Sequence, residues 1–206
     1  MAHAAARDDH ITPEEYLALE RQAETKSEYY DGQRYAMSGA SRAHNLITLN
    51  MGGELRTQLR QRPCEVYPSD MRVKVAASGL YTYPDVAVVC DEPQFEDDVF
   101  DTLLNPTLLV EVLSPSTAGY DRGAKFDFYR ALESLQTVLF VAQDRPHVVR
   151  YERQDDASWL LTETEDPTTI LPLPALGIEL SMTEIYAKVT FVESQESEGR
   201  HPAKLP

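Results

Sequence analysis

Tyr83-Pro84-Asp85-Val86-Ala87-Val88-Val89 and Leu108-Leu109-Val110-Glu111-Val112-Leu113 are the two stretches on which the fold turns. Val86–Val89 and Leu108–Val110 are unbroken apolar runs, the pattern of central strands covered on both faces. Each stretch nevertheless carries one carboxylate. Burying an ionised carboxylate is costly unless it is paired, hydrogen-bonded or metal-bound. Two such groups on neighbouring strands suit a hard divalent cation, Mg²⁺ or Mn²⁺, which prefers oxygen ligands. Alternatively, each carboxylate ends its strand and meets an arginine or backbone amides. The spacing leaves both readings open.

Downstream, Asp121 opens a helix to about Glu133 in which Phe128, Tyr129 and Leu132 follow Lys125 at three, four and seven residues. Lys125 therefore shares the helix face that looks at the sheet. It either snorkels to the edge or reaches over the carboxylate pair. Thr137–Ala142 reads as another buried strand, His147–Arg153 and Ser158–Glu163 as a hairpin, Leu176–Leu180 as a short strand, and Met182–Lys188 as a last helix.

Upstream, Thr12-Pro13-Glu14-Glu15 is a capping box with proline at the first helical position, starting a helix to about Gln22. Two aromatic-rich segments around Asp31-Gly32 predict a hairpin. Ser41 caps a helix to about Gln61 whose buried stripe is Ile47, Met51, Leu55 and Leu59. Gly52-Gly53 within it suggests close packing. Strands are expected at Glu65–Tyr67, Arg72–Val75 and Tyr81–Cys90, with a loop over 91–105. The expected fold is α/β (α+β): a mixed central sheet flanked by helices, with an N-terminal helix and hairpin. One domain is expected over 1–189, followed by a flexible acidic, polar tail over 190–206.

Hydrophobic residues at 42% and charged residues at 26% place the 206-residue chain among ordinary globular domains. Cys64 and Cys90 are too few for a disulfide framework, and burial is the expected fate of Cys90. The N-terminus has no apolar signal region, and no apolar run approaches a membrane span, so the reading is cytoplasmic. A net charge of −15 weighs against a nucleic-acid role, because phosphate neutralisation supplies most DNA affinity. Residues 21–74, however, hold nine Lys/Arg against six Asp/Glu, so the first third could present a basic face.

Tyr83-Pro84-Asp85, Val110-Glu111-Val112-Leu113-Ser114-Pro115-Ser116-Thr117 and Tyr120-Asp121-Arg122-Gly123-Ala124-Lys125 together resemble the Uma2 family of restriction-endonuclease-like proteins. Tyr29-Tyr30-Asp31-Gly32, Met37-Ser38-Gly39-Ala40-Ser41, His44-Asn45, Ser69-Asp70-Met71 and Leu176-Gly177-Ile178-Glu179-Leu180 extend the resemblance across roughly residues 11–189. It implies the PD-(D/E)xK nuclease superfamily, a DNA substrate, and Mg²⁺ or Mn²⁺ held by Asp85, Glu111 and the Val112 carbonyl. Leu113 stands where the superfamily pattern has lysine. The resemblance implies that this role passes to the following helix, where Lys125 matches. Glu28 resembles the superfamily's acidic residue on the first element; its other reading is a hairpin surface charge. His44 reads equally as a phosphate contact and as a satisfied core-edge histidine. Asp70 reads as a turn residue. Arg42, Arg56, Arg60 and Arg62 read as solvated helix-surface charges that could touch a DNA backbone. A homodimer is a further expectation, since cutting both strands needs two sites.

Three functions follow: a metal-dependent DNA endonuclease, a catalytically degenerate nuclease fold that binds DNA or protein, and a hydrolase of another phosphate ester.

Overall fold

Thr12 caps the first helix, α1 (Pro13–Glu20), through a reciprocal pair: its N–H donates to Glu15 Oε2 at 2.8 Å, and Glu15 N–H donates to Thr12 Oγ1 at 3.2 Å. In this computed structural model, residues 10–37, 39–113 and 118–191 are described, the side chains of 118–121 excepted. The Ser114–Thr117 motif, Ser38, the Tyr120 and Asp121 side chains and the tail from residue 192 therefore lie outside the described residues.

Strands β1 (Ser27–Tyr30) and β2 (Gln33–Ala36) form the predicted hairpin. Asp31 (φ 46°) and Gly32 (φ 78°) both take positive φ, as the two-residue turn requires. Helix α2 (Arg42–Leu59) starts at Ser41, whose Oγ accepts from His44 N–H at 3.1 Å. It buries the predicted stripe Ile47, Met51, Leu55 and Leu59. The glycine pair does not mark unusually close packing: a Cβ on Gly52 would meet Val86 at an ordinary 3.9 Å, and one on Gly53 would meet nothing within 4 Å.

The remaining elements are β3 (Cys64–Pro68), β4 (Arg72–Val75), β5 (Leu80–Thr82), β6 (Val86–Cys90), β7 (Thr102–Leu103), β8 (Leu108–Leu113), α3 (Ala118–Tyr129), β9 (Thr137–Ala142), β10 (Val148–Arg153), β11 (Trp159–Thr164), β12 (Ile170–Leu173), β13 (Ile178–Ser181) and α4 (Met182–Ile185). A six-stranded sheet runs β11-β10-β9-β8-β6-β3, and a five-stranded sheet runs β2-β1-β5-β4-β7. The larger sheet is mixed as predicted, because β8 and β9 are parallel while β8 and β6 are antiparallel. Parallel neighbours need a crossover, and α3 lies within it. On β6 and β8, Val86, Val88, Leu108, Val110 and Val112 pack on the α2 side. Ala87, Val89, Leu109 and Leu113 pack on the other, with Tyr129 of α3. This double burial is why the sequence runs are continuously apolar.

Several expectations need correction. The strand predicted over Tyr81–Cys90 is two strands in two different sheets, β5 and β6. Pro84 lacks the N–H to continue a ladder, and the chain changes sheets there. The acidic loop over 91–105 contains β7, which pairs with β4 (Arg72 opposite Thr102). Strand β12 was unanticipated, since Pro172 inside it argues against a strand. The last helix ends at Ile185, short of Lys188. Cys64 and Cys90 lie opposite each other on β3 and β6 and are joined in a disulfide, so the pair staples an edge strand to the sheet. No described helix is long and apolar enough to cross a membrane.

Candidate metal and nuclease site

The antiparallel register sets Val86 opposite Val110 and Ala87 opposite Leu109. Carried one step past the last pair, it places Asp85 opposite Glu111. Glu111, two residues beyond Leu109, falls on the α3 side of the sheet, whereas Asp85 sits just before β6 and meets His44 of α2. The carboxylates that the sequence placed in two core strands are thus neighbours. They open on a cleft of about 800 Å³ lined also by Glu28, His44, Val112 and Lys125.

Glu111 is almost fully buried, at 5% exposure. One carboxylate oxygen, Oε2, accepts from Lys125 Nζ at 3.0 Å, and Oε1 accepts from the Tyr129 hydroxyl. Burial pushes the Glu111 carboxyl up to about 7; Lys125 opposes the rise and the nearby Asp85 charge adds to it. Burial works to lower Lys125 as well, but Glu111, Tyr129 and Glu28 together hold it well above its ordinary value. The direction for the pair is a protonated, cationic lysine beside a carboxylate that ionises reluctantly. Lys125 thus reaches the carboxylates rather than snorkelling away.

Asp85 Oδ2 accepts from the Val112 N–H at 2.7 Å, and Oδ1 lies 3.2 Å from His44 Nε2. The alternative in which strand-end carboxylates meet backbone amides is therefore partly realised at Asp85. Main-chain contact at Val112 is through its N–H. The hydrogen bond to Asp85 raises the His44 pKa, against the lowering effect of burial. His44 Nδ1 has no hydrogen-bond partner among the described residues. The last member is Glu28 on β1, whose Oε1 sits 3.4 Å from Lys125 Nζ and accepts from the Thr82 hydroxyl. Glu28 is therefore turned into the site rather than being a free hairpin charge.

The other candidates fall outside this group. Asp70 lies on the cleft rim, in an ion pair with Lys26 at 3.0 Å. Arg62 donates to the carbonyls of Leu176 and Gly177, a structural tie to the turn before β13. Sequence reasoning missed the site role of Tyr129, placing it only in the buried stripe. The usable signal was its phenol, since a buried hydroxyl needs a partner. Gln143 was missed too; it accepts from the Ser41 hydroxyl at the cleft wall, and nothing in its local sequence marks it.

Among the described residues no three His, Cys, Asp or Glu side chains converge as a ready-made ligand cluster. The site offers two carboxylates and a main-chain carbonyl position instead. These are hard oxygen donors, in the number with which Mg²⁺ is commonly held, the remainder being waters and substrate phosphate. The buried Glu111 charge, only partly offset by Lys125, is also the environment a cation would relieve. The residues fit such an ion.

Two uncharacterized proteins of Synechocystis sp. resemble the chain. One, sll1609, is 42% identical over 153 residues, covering 74% of this chain and 86% of its own. The other, slr1290, is 36% identical over 181 residues, covering 88% and 94%. Among solved structures, a protein from Anabaena variabilis described as "a putative nuclease belonging to DUF820" superposes with a TM-score of 0.66 at 19% identity. The match spans 85% of this chain and 97% of that one, and supports a shared fold. The family model for Uma2, described as "Putative restriction endonuclease", matches residues 13–183, and the chain belongs to that family.

Proposed function

We propose that the protein is a divalent-metal-dependent endonuclease that hydrolyses DNA phosphodiester bonds. The observation that carries this reading is the convergence of Asp85, just before β6, Glu111 of β8 and Lys125 of α3 at one open cleft. Asp85, Glu111 and the Val112 carbonyl would hold Mg²⁺ or Mn²⁺. When bound, such an ion supplies Lewis-acid polarisation of a phosphoryl oxygen.

The chain's own groups do the rest. Tyr129 and Lys125 fix both oxygens of Glu111, so its orientation is set before substrate arrives. Lys125, cationic and pinned between Glu111 and Glu28, can orient an incoming water and offset negative charge growing on the phosphoryl oxygens. His44, at the cleft wall, is anchored through Nε2 to Asp85 and steadies that carboxylate.

A second reading, a degenerate fold that binds without cutting, is favoured by one observation. Each Glu111 oxygen already accepts from a protein donor, Lys125 or Tyr129, so the carboxylate is held without a cation. The test is Mn²⁺ titration by calorimetry on wild type and Asp85→Ala, with plasmid nicking on the same samples. Binding and nicking, both lost in the variant, support the endonuclease. Binding without nicking selects the degenerate protein. No binding in the presence or absence of DNA removes the metal site.

A further inference from the structure

Strand alternation gives the β1–β2 hairpin two faces. Ser27 and Tyr29 turn inward, with Tyr29 stacked on Tyr16 at a centroid distance of 5.0 Å. The other face carries Glu28 and, directly across on β2, Tyr35. Cross-strand neighbours stand about 5 Å apart at Cβ. The Tyr35 ring is therefore next to the carboxylate that meets Lys125.

Tyr35 is 49% exposed and lines the same cleft. No aromatic ring among the described residues stacks on it, and its hydroxyl donates to Gln33 Oε1, at 3.2 Å on its own strand. Tyr30, on the same face, continues the aromatic surface and meets Phe128 of α3 edge-on at 4.9 Å. A solvated hairpin face is ordinarily polar. Here it presents tyrosines beside the site.

Charge points to the kind of strand this face serves. Among the described residues, five carboxylates line the cleft against two lysines and one histidine, and each of those bases already has a carboxylate partner. Phosphate neutralisation by basic groups drives the binding of duplex and single strand alike, so a cleft whose basic groups are already paired depends on other contacts, and a duplex keeps the faces of its bases stacked out of reach. An unpaired base can instead be held by its π-face on an exposed aromatic ring, whatever its sequence.

We propose that the cleft takes single-stranded DNA, with Tyr35 stacking on a nucleobase next to the phosphate presented to Asp85, Glu111 and Lys125. The proposal rests on the nuclease reading for its substrate chemistry, and its test is kept separate from cleavage. Anisotropy of a labelled oligothymidine, and of a duplex of the same length, is measured in Ca²⁺ with wild type, Tyr35→Ala and Tyr35→Phe. Single strand should bind more tightly than duplex, with binding weakened roughly tenfold by Tyr35→Ala and kept within about twofold by Tyr35→Phe. Tighter duplex binding, no single-strand binding, no effect of Tyr35→Ala, or an equal loss in Tyr35→Phe would each overturn it. Cleavage of that oligothymidine and of plasmid in Mn²⁺ on the same preparations separates the two ideas. Ring-dependent binding with neither substrate cut sinks only the nuclease reading, and cleavage without ring-dependent binding sinks only this one.

Discussion

Replacing Lys125 by methionine keeps the stem and removes the cation that faces Glu111 at 3.0 Å. Breaking a buried ion pair on one side commonly costs about 3–5 kcal/mol, because it strands a buried charge. Glu111 has an escape from that penalty, since it can take up a proton. Its folded pKa, about 7, lies above the ordinary 4.5, so the stability tied to this group is fully present below 4.5 and is lost as pH rises through the folded value. In metal-free wild type that loss is on the order of 3 kcal/mol. Lys125 lowers the Glu111 value, so Lys125→Met raises it further and extends the loss to higher pH. The destabilisation caused by Lys125→Met should therefore grow by roughly 1–2 kcal/mol between about pH 5 and about pH 8. Urea denaturation in a chelating buffer, followed by Trp159 fluorescence, reads both proteins at both pH values. A destabilisation that is the same at the two pH values, or larger at the acidic one, would refute a buried carboxylate neutralised by this lysine.

Three further outcomes are expected. The buried Arg72 guanidinium bonds Thr102 at 3.0 Å, the Tyr83 hydroxyl at 2.9 Å and Asp101 at 2.9 Å, so Arg72→Met should cost about 3 kcal/mol in denaturant; a loss below about 1 kcal/mol would contradict that role. Arg21 holds the Asp101 carboxyl well below its usual range, so this stabilisation is present above pH 3.8 and fades as pH falls through the lower folded value; a thermal melt series into acid should show a shallower decline for Asp101→Asn. Cys64 and Cys90 are 26 residues apart, and on chain-entropy grounds Cys64→Ser should lower stability by about 3–4 kcal/mol; equal stability with and without reductant in wild type would argue against the bond.

Local chemistry was readable wherever one short segment held the whole signal. The Thr12 capping box, the Asp31-Gly32 turn and the α2 stripe each depend on residues within a few positions of one another, and each is found as predicted. Partnerships across the chain were not so readable. The strand that splits at Pro84 looked continuous because Leu80–Thr82 and Val86–Cys90 are both apolar, and only pairing assigns them to different sheets. The disulfide was hidden for the same reason, since it depends on the β3–β6 register. At the site, Asp85 and Glu111 stood out because charge in an apolar run is conspicuous. Tyr129 did not, because a tyrosine in a buried stripe looks like packing until its acceptor is known.

Lys125 and Tyr129 sit on α3, whereas the carboxylate they hold sits on β8. In a motif that keeps acid and lysine two residues apart on one strand, the two cannot be separated without tearing the sheet. Here they can. Lifting one helix from the sheet would take the cation and the phenol away together and leave every ladder hydrogen bond of β6, β8 and β9 in place. The free energy of that local opening, rather than global stability, then sets how much of the population holds an assembled site, and amide exchange along α3 would report it.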